Sequence, residues 1–112
     1  MRYDSGMNRL EELSTMHRQA LAAFCQKWKV HELALFGSVL RDDFGSESDI
    51  DVLITFEPRH TWSAFDHFEM ERELSELFGR RVELTSRMAV ETSPNWIRKQ
   101  AILGSAQTLY AA

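Results

Sequence analysis

The stretch "FGSVLRDDFGSESDIDVLITF", Phe36–Phe56, decides how this chain folds and what it can do. Its second half, "DIDVLITFE", is the strongest strand signal in the sequence, rich in Ile, Val, Thr and Phe and closed by Pro58. Side chains alternate along a strand. Asp49, Asp51 and Leu53 therefore share one face, and Ile50, Val52 and Ile54 the other. The rise per residue puts the two carboxylates about 7 Å apart along the backbone, with side chains able to converge. At a separation of about 5 Å and an effective dielectric near 20, they repel by about 3 kcal/mol. Solvent, a proton, a basic partner or a cation must offset that cost. A divalent cation suits it best, since Mg²⁺ is held by one or two carboxylates together with substrate phosphates.

An isolated Asp-x-Asp carries little information, because short motifs recur by chance. Two further features give this one weight. Gly37-Ser38 ends the preceding strand, "HELALFGS", and opens a short helical segment, "SVLRDDFG", closed by Gly45. Glycine allows close backbone approach, and a serine there offers its hydroxyl to an anion. Ten residues separate Ser38 from Asp49. The second feature is Glu83 in "RRVELTS", a third strand. Val82 and Leu84 flank it, so Glu83 faces away from what they bury and can complete a three-acid cluster.

Working outward, Leu10, Leu13, His17, Leu21, Phe24 and Trp28 recur at steps of three and four, which predicts one helix over residues 7–28 after a loose lead, residues 1–6. "TWSAFDHFEMERELSELFG" predicts a helix with Ser63 and Asp66 as a capping box, an apolar stripe of Phe65, Phe68, Leu74, Leu77 and Phe78 at helical spacing, and Gly79 as C-cap. "SPNWIRKQAILGSAQTLYAA" predicts a helix from Pro94 to Gly104 and an apolar tail with Leu109 and Tyr110. The architecture is α/β: a small sheet of at least three strands flanked by helices, in a single domain over residues 1–112.

The net charge of −4 provides no basic field, so direct DNA binding is not expected. Arg80, Arg81, Arg87, Arg98 and Lys99 make the later part locally basic, either as a solvated surface or as a rim for phosphate or an acidic partner. Cys25 is the only cysteine, placed as a core thiol. No segment reaches transmembrane length, and "MRYDSGMNRLEE" has no apolar leader core, so a cytoplasmic location without membrane contact is expected. Asp43-Phe44-Gly45 spells a kinase tripeptide, but no glycine-rich loop or catalytic-loop motif accompanies it, and no P-loop occurs.

"GSVLRDDFGSESDIDVLI" resembles the Gly-Ser-x10-Asp-x-Asp signature of the polymerase-beta-like nucleotidyltransferases, including Arg41 shortly after the Gly-Ser. With the opening helix, the Glu83 strand and the tail ending in Leu-Tyr, the chain resembles an MNT domain, a minimal nucleotidyltransferase of the kind found beside a HEPN-domain protein in prokaryotic toxin–antitoxin pairs. The resemblance implies a nucleotidyltransferase fold with a mixed sheet. It implies two Mg²⁺ ions on Asp49, Asp51 and Glu83, with Glu83 favouring deprotonation of the attacking hydroxyl. Gly37, Ser38 and Arg41 would hold the phosphates of ATP. The implied activity is transfer of AMP to a hydroxyl, a tyrosine by the resemblance, of a partner HEPN toxin within a hetero-oligomer. Trp62, Phe65, Trp96, Leu109 and Tyr110 are candidate contacts for that partner. The family most often has Asp where this chain has Glu83, a change of one methylene. Two other functions stay open: an antitoxin that neutralises by binding alone, and a stand-alone transferase acting on a small molecule or RNA.

Overall fold

A computed structural model describes residues 5–41, 45, 48–58 and 62–112, with side chains from Leu10 onward. The elements are α1 (Ser5–Met16), α2 (Arg18–Trp28), β1 (Val30–Phe36), a 3₁₀ turn (Gly37–Leu40), β2 (Ile50–Phe56), α3 (Ala64–Phe78), β3 (Val82–Ser86), α4 (Arg87–Glu91), α5 (Trp96–Ser105) and β4 (Gln107–Ala111). They form a four-stranded sheet in the order β3-β2-β1-β4. β1 runs antiparallel to both β2 and β4, and β2 runs parallel to β3, so the sheet is mixed.

The apolar run Val52-Leu53-Ile54 is explained by burial on both faces. Leu33, Leu35, Val52, Ile54 and Leu84 join Leu21, Phe24, Met70 and Leu74 in the larger core, under α2 and α3. Ala34 and Leu53 join Val90 and Ile102 in a smaller core under α4 and α5. Each fully buried Leu or Ile contributes about 1.5–3 kcal/mol relative to exposure.

Several expectations are corrected. The single helix over 7–28 is two helices. His17 leaves helical geometry at φ −113°, ψ 20°, and its ring meets the edge of Phe78 at 5.3 Å. The side-chain periodicity continues across the break, which hides it in the sequence. Phe65 and Phe68 point outward, 85% and 73% exposed, while Met70 and Leu74 take the inward face of α3. The apolar tail is β4, with Leu109 buried in the larger core and so removed from any contact surface. The segment after Gly37 is a single turn, one of the two lengths expected of it (one turn or two), but it ends at Leu40 rather than at Gly45; residues 42–44 lie outside the described part.

The capping box of α3 forms as the spacing predicts. The Ser63 amide donates to the Asp66 carboxylate at 3.0 Å, and the Asp66 amide donates to Ser63 Oγ at 3.2 Å. Ser63→Ala is expected to cost roughly 1 kcal/mol, lowering Tm by about 4 °C in a thermal melt. α3 also closes the outer edge of the sheet. The Leu84 amide donates to the Glu71 carboxylate at 2.8 Å and the Val82 amide to Ser75 Oγ at 2.9 Å, which leaves these two edge amides no vacancy for another strand.

Burial pushes the Cys25 thiol up to about 12, as the core placement requires. The thiolate is the reactive species. Alkylation at pH 8 is therefore expected to be negligible in the folded protein and rapid once denaturant opens the core, read by intact mass.

Candidate active site

The alternation of β2 places Asp51 on the α4–α5 side of the sheet, since Ile50 and Val52 are buried against the opposite side. Asp51 is the second residue of β2, and Glu83 is the second residue of β3. The parallel register sets them directly opposite each other. On the other flank Asp51 pairs with Phe36, the last residue of β1. Further along β2, Leu53 is covered by Val90 and Ile102, but Asp51 is only half-buried and Glu83 is exposed. The two acids thus sit at the open end of an otherwise covered face.

Gly37 follows Phe36 and turns the chain over Asp51. Its φ is +79°, and a Cβ there would stand 2.5 Å from Asp51 Oδ2. Both the left-handed backbone and the close approach require glycine. The turn is tied by the Arg41 amide donating to the Ser38 carbonyl at 2.9 Å, and buried Val39 anchors it. Ser38 is half-exposed and follows Gly37 in the chain, and Arg41 is exposed, with its charge felt at Asp51.

The Asp51 carboxyl is pushed up to about 6, first by burial, then by the charge of Glu83 and a hydrogen bond with it, and further by Asp49; the Arg41 charge opposes the rise. Asp49 precedes the strand and turns toward Arg81, with Nε 4.0 Å from Oδ2. That pair is exposed, so its attraction is small. Among the described residues, no three acidic, histidine or cysteine side chains form a ready-made metal group. The structure brings Asp51 and Glu83 together and leaves Asp49 nearby on its own ion pair. An all-oxygen donor set of two adjacent carboxylates, one of them destabilised as an anion, nevertheless suits Mg²⁺, whose remaining positions are taken by water and phosphate.

Sequence reasoning passed over the roles of Arg80 and Arg81. The Arg80 guanidinium donates to the Gly45 carbonyl, and the Arg81 carbonyl accepts from the Ile50 amide at 2.9 Å. The pair fastens Gly45 and the first residue of β2, on either side of Asp49. Its signal in the sequence was position: two basic residues immediately before the strand that carries Glu83.

A hollow of about 420 Å³ adjoins the turn, bounded by Gly37, Leu40 and Arg41 on one side and by residues 104–107 on the other. A second, of about 440 Å³, lies at the far end of β2 around Phe56, Trp62 and Met88, away from the acids.

Residues 17–107 match the model of the nucleotidyltransferase domain family. A chain of Methanocaldococcus jannaschii, provisionally named a protein adenylyltransferase, is 33% identical over 85 residues, covering 76% of this chain and 85% of that one. A solved structure provisionally described as a minimal nucleotidyltransferase superposes with a TM-score of 0.64 at 30% identity, over 88% of this chain and 93% of that one. A chain from the Shewanella oneidensis complex of a tri-AMPylated HEPN toxin with an MNT antitoxin superposes with a TM-score of 0.57 at 16% identity, over 88% of this chain and 73% of that one, a likeness of fold.

Proposed function

The chain belongs to the nucleotidyltransferase domain family, and from that membership we propose that it transfers AMP from ATP to a tyrosine hydroxyl of a partner HEPN toxin and so neutralises it. The observation that carries this reading is the Asp51–Glu83 pair lying in register beneath Gly37. The adenylyltransferase name of the Methanocaldococcus relative supports a protein acceptor, and the Shewanella complex supports a HEPN toxin as that acceptor. Residues 1–112 would act as one catalytic domain, with the acceptor supplied by the partner.

In the proposed site, Asp49, Asp51 and Glu83 would hold Mg²⁺, with Asp49 giving up Arg81 for the cation. Such ions would supply charge neutralisation at the triphosphate and at the oxygens that attack and leave. Gly37, Ser38 and Arg41 receive the phosphates: the glycine by leaving room, the serine by its hydroxyl, and the arginine by charge. The tyrosine oxygen forms a bond to the α-phosphorus. The bond from that phosphorus to the α–β bridging oxygen breaks, and pyrophosphate leaves with the electron pair. The hydroxyl proton passes to a carboxylate oxygen of Glu83, which stands opposite Asp51 in the strand register.

Label from the α-phosphate of ATP should appear on a co-purified partner, and label from the γ-phosphate should not. Labelling by both, or by the γ-phosphate alone, would contradict nucleotidyl transfer.

A further inference from the structure

We propose that the groove between α3 and the start of β3, lined by Phe68, Arg72, Arg81 and Val82, receives a helix of the acceptor protein, and that Arg81 couples this docking to the metal by passing from Asp49 to a carboxylate of that helix. This rests on the nucleotidyltransferase reading and adds to it where the acceptor sits and what orders its arrival.

Position selects the groove from the exposed apolar surface. Phe65, Phe68, Met88, Trp96 and Ile97 are each at least 65% exposed. Glu83, which takes the hydroxyl proton in the proposed transfer, is the second residue of β3, and β3 is an outer strand of the sheet. The groove, about 340 Å³, is bounded by Arg81 and Val82, the two residues before Glu83, and by one side of α3 from Phe68 to Ser75. Met88 lies past the other end of β3, and Trp96 and Ile97 open α5, whose last turn is the one near Gly37. Rises of about 3.3 Å per strand residue and 1.5 Å per helix residue put each of these about 10 Å along its element from the end nearest the acids.

The edge of β3 excludes a strand as the occupant. The Val82 and Leu84 amides already donate to Ser75 Oγ at 2.9 Å and to the Glu71 carboxylate at 2.8 Å. An added strand depends on such donors, whereas a helix binds through its side chains alone. Phe68 gives that helix an apolar contact.

Charge supplies the second contact. Arg72 is held by Glu69 and, at 2.7 Å, by Glu76. Glu71 accepts from the Leu84 amide and has His67 at 3.5 Å. Arg81 is the basic group of the groove whose acidic neighbour is a candidate metal ligand. Its Nε is 4.0 Å from Asp49 Oδ2, and its side chain is 79% exposed. A pair so exposed is weak and easily exchanged. A cation on Asp49 would cancel the attraction that draws the guanidinium there, leaving it to a carboxylate of the acceptor. Without the cation, Asp49 competes with the acceptor for the same guanidinium. Metal and nucleotide therefore strengthen docking, and by linkage docking strengthens their binding in equal measure.

The test uses the complex of this chain with the partner it co-purifies with. Phe68→benzoylphenylalanine and Trp96→benzoylphenylalanine are irradiated in Mg²⁺ with ATP labelled at the α-phosphate. The protein that takes up label should be cross-linked from position 68 and not from position 96. Cross-linking of the labelled protein from 96 alone, or from neither, overturns the groove. Where the variant at 68 no longer holds the partner, Glu69→benzoylphenylalanine reports on the same groove by the same criterion. The coupling is read by the partner's affinity in chelator and in Mg²⁺ with α,β-methylene-ATP, which cannot release AMP. The parent chain should bind about tenfold more tightly in the second condition. Arg81→Gln should lose that gain and keep the affinity in chelator, with Arg81→Lys retaining part of the gain and Tm confirming the fold. A gain undiminished in Arg81→Gln, or an equal loss in both conditions, removes the part given to Arg81 and leaves the groove to the cross-links. If no protein takes up label with the parent chain, the nucleotidyltransferase reading falls and this inference with it.

Discussion

Asp51→Asn should abolish transfer, lowering its rate by at least about 10³-fold, and at the same time make the ligand-free protein more stable. The two effects have one cause. Burial and the neighbouring Glu83 make the Asp51 anion costly, which pushes its carboxyl up to about 6 from an ordinary value of 3.8. That cost is what a cation at the site relieves. The sign with pH follows from linkage. Between about pH 4 and 6 the unfolded chain has released the Asp51 proton and the folded chain retains it, so stability falls as pH rises through that window and levels off above it. Asn has no proton to lose. In chelator, the Tm advantage of Asp51→Asn should therefore be small near pH 4 and full above pH 6. Because the group is half-exposed, solvent screening holds the advantage to about 1 kcal/mol. A variant that loses both activity and stability at neutral pH would show that Asp51 serves the fold rather than the site.

Gly37→Ala should cut transfer by about 10²-fold or more, because the added methyl displaces the Asp51 carboxylate, and misplacement by about 1 Å has that scale of effect. It should also lower Tm, since a left-handed φ costs a non-glycine residue about 1–2 kcal/mol. Gly79→Ala separates the two contributions. Gly79 has φ +68°, but a Cβ there meets nothing within 4 Å. That variant should lose a similar amount of stability and keep its transfer rate. If Gly37→Ala and Gly79→Ala behave alike in both assays, the close approach to Asp51 has no functional meaning.

What the sequence made legible was governed by local rules. Period-two alternation around Asp51 gave the acid face of β2, and the Ser63–Asp66 spacing gave the start of α3. The Gly-Ser turn and the Glu83 strand could be named, but their contact could not, because register between separate strands is a tertiary fact. β4 was hidden for a physical reason: it is a five-residue edge strand whose only buried side chain is Leu109, so it carries no alternation of buried apolar residues to read. α4 is a five-residue helix, too short for a periodic signal. Phe65 and Phe68 misled because helical spacing shows that apolar residues share a face and not which face meets the sheet. They remain exposed, as does Trp96 at 65%, while Leu109 is buried and Trp62 is half-buried against Trp28. The surface expected to meet a partner is thus reduced to Phe65 and Trp96 with half-buried Trp62 and Tyr110 at most. Arg81 was legible only as basic character; its approach to Asp49 depends on the parallel pairing of β2 with β3.

The central claim is most directly tested by intact-protein mass spectrometry of the chain purified together with what it binds in its native host, after addition of Mg²⁺ and ATP. The account predicts mass steps of one AMP on the partner, absent with Asp51→Asn. A stable complex whose partner gains no mass would contradict transfer and leave neutralisation by binding alone.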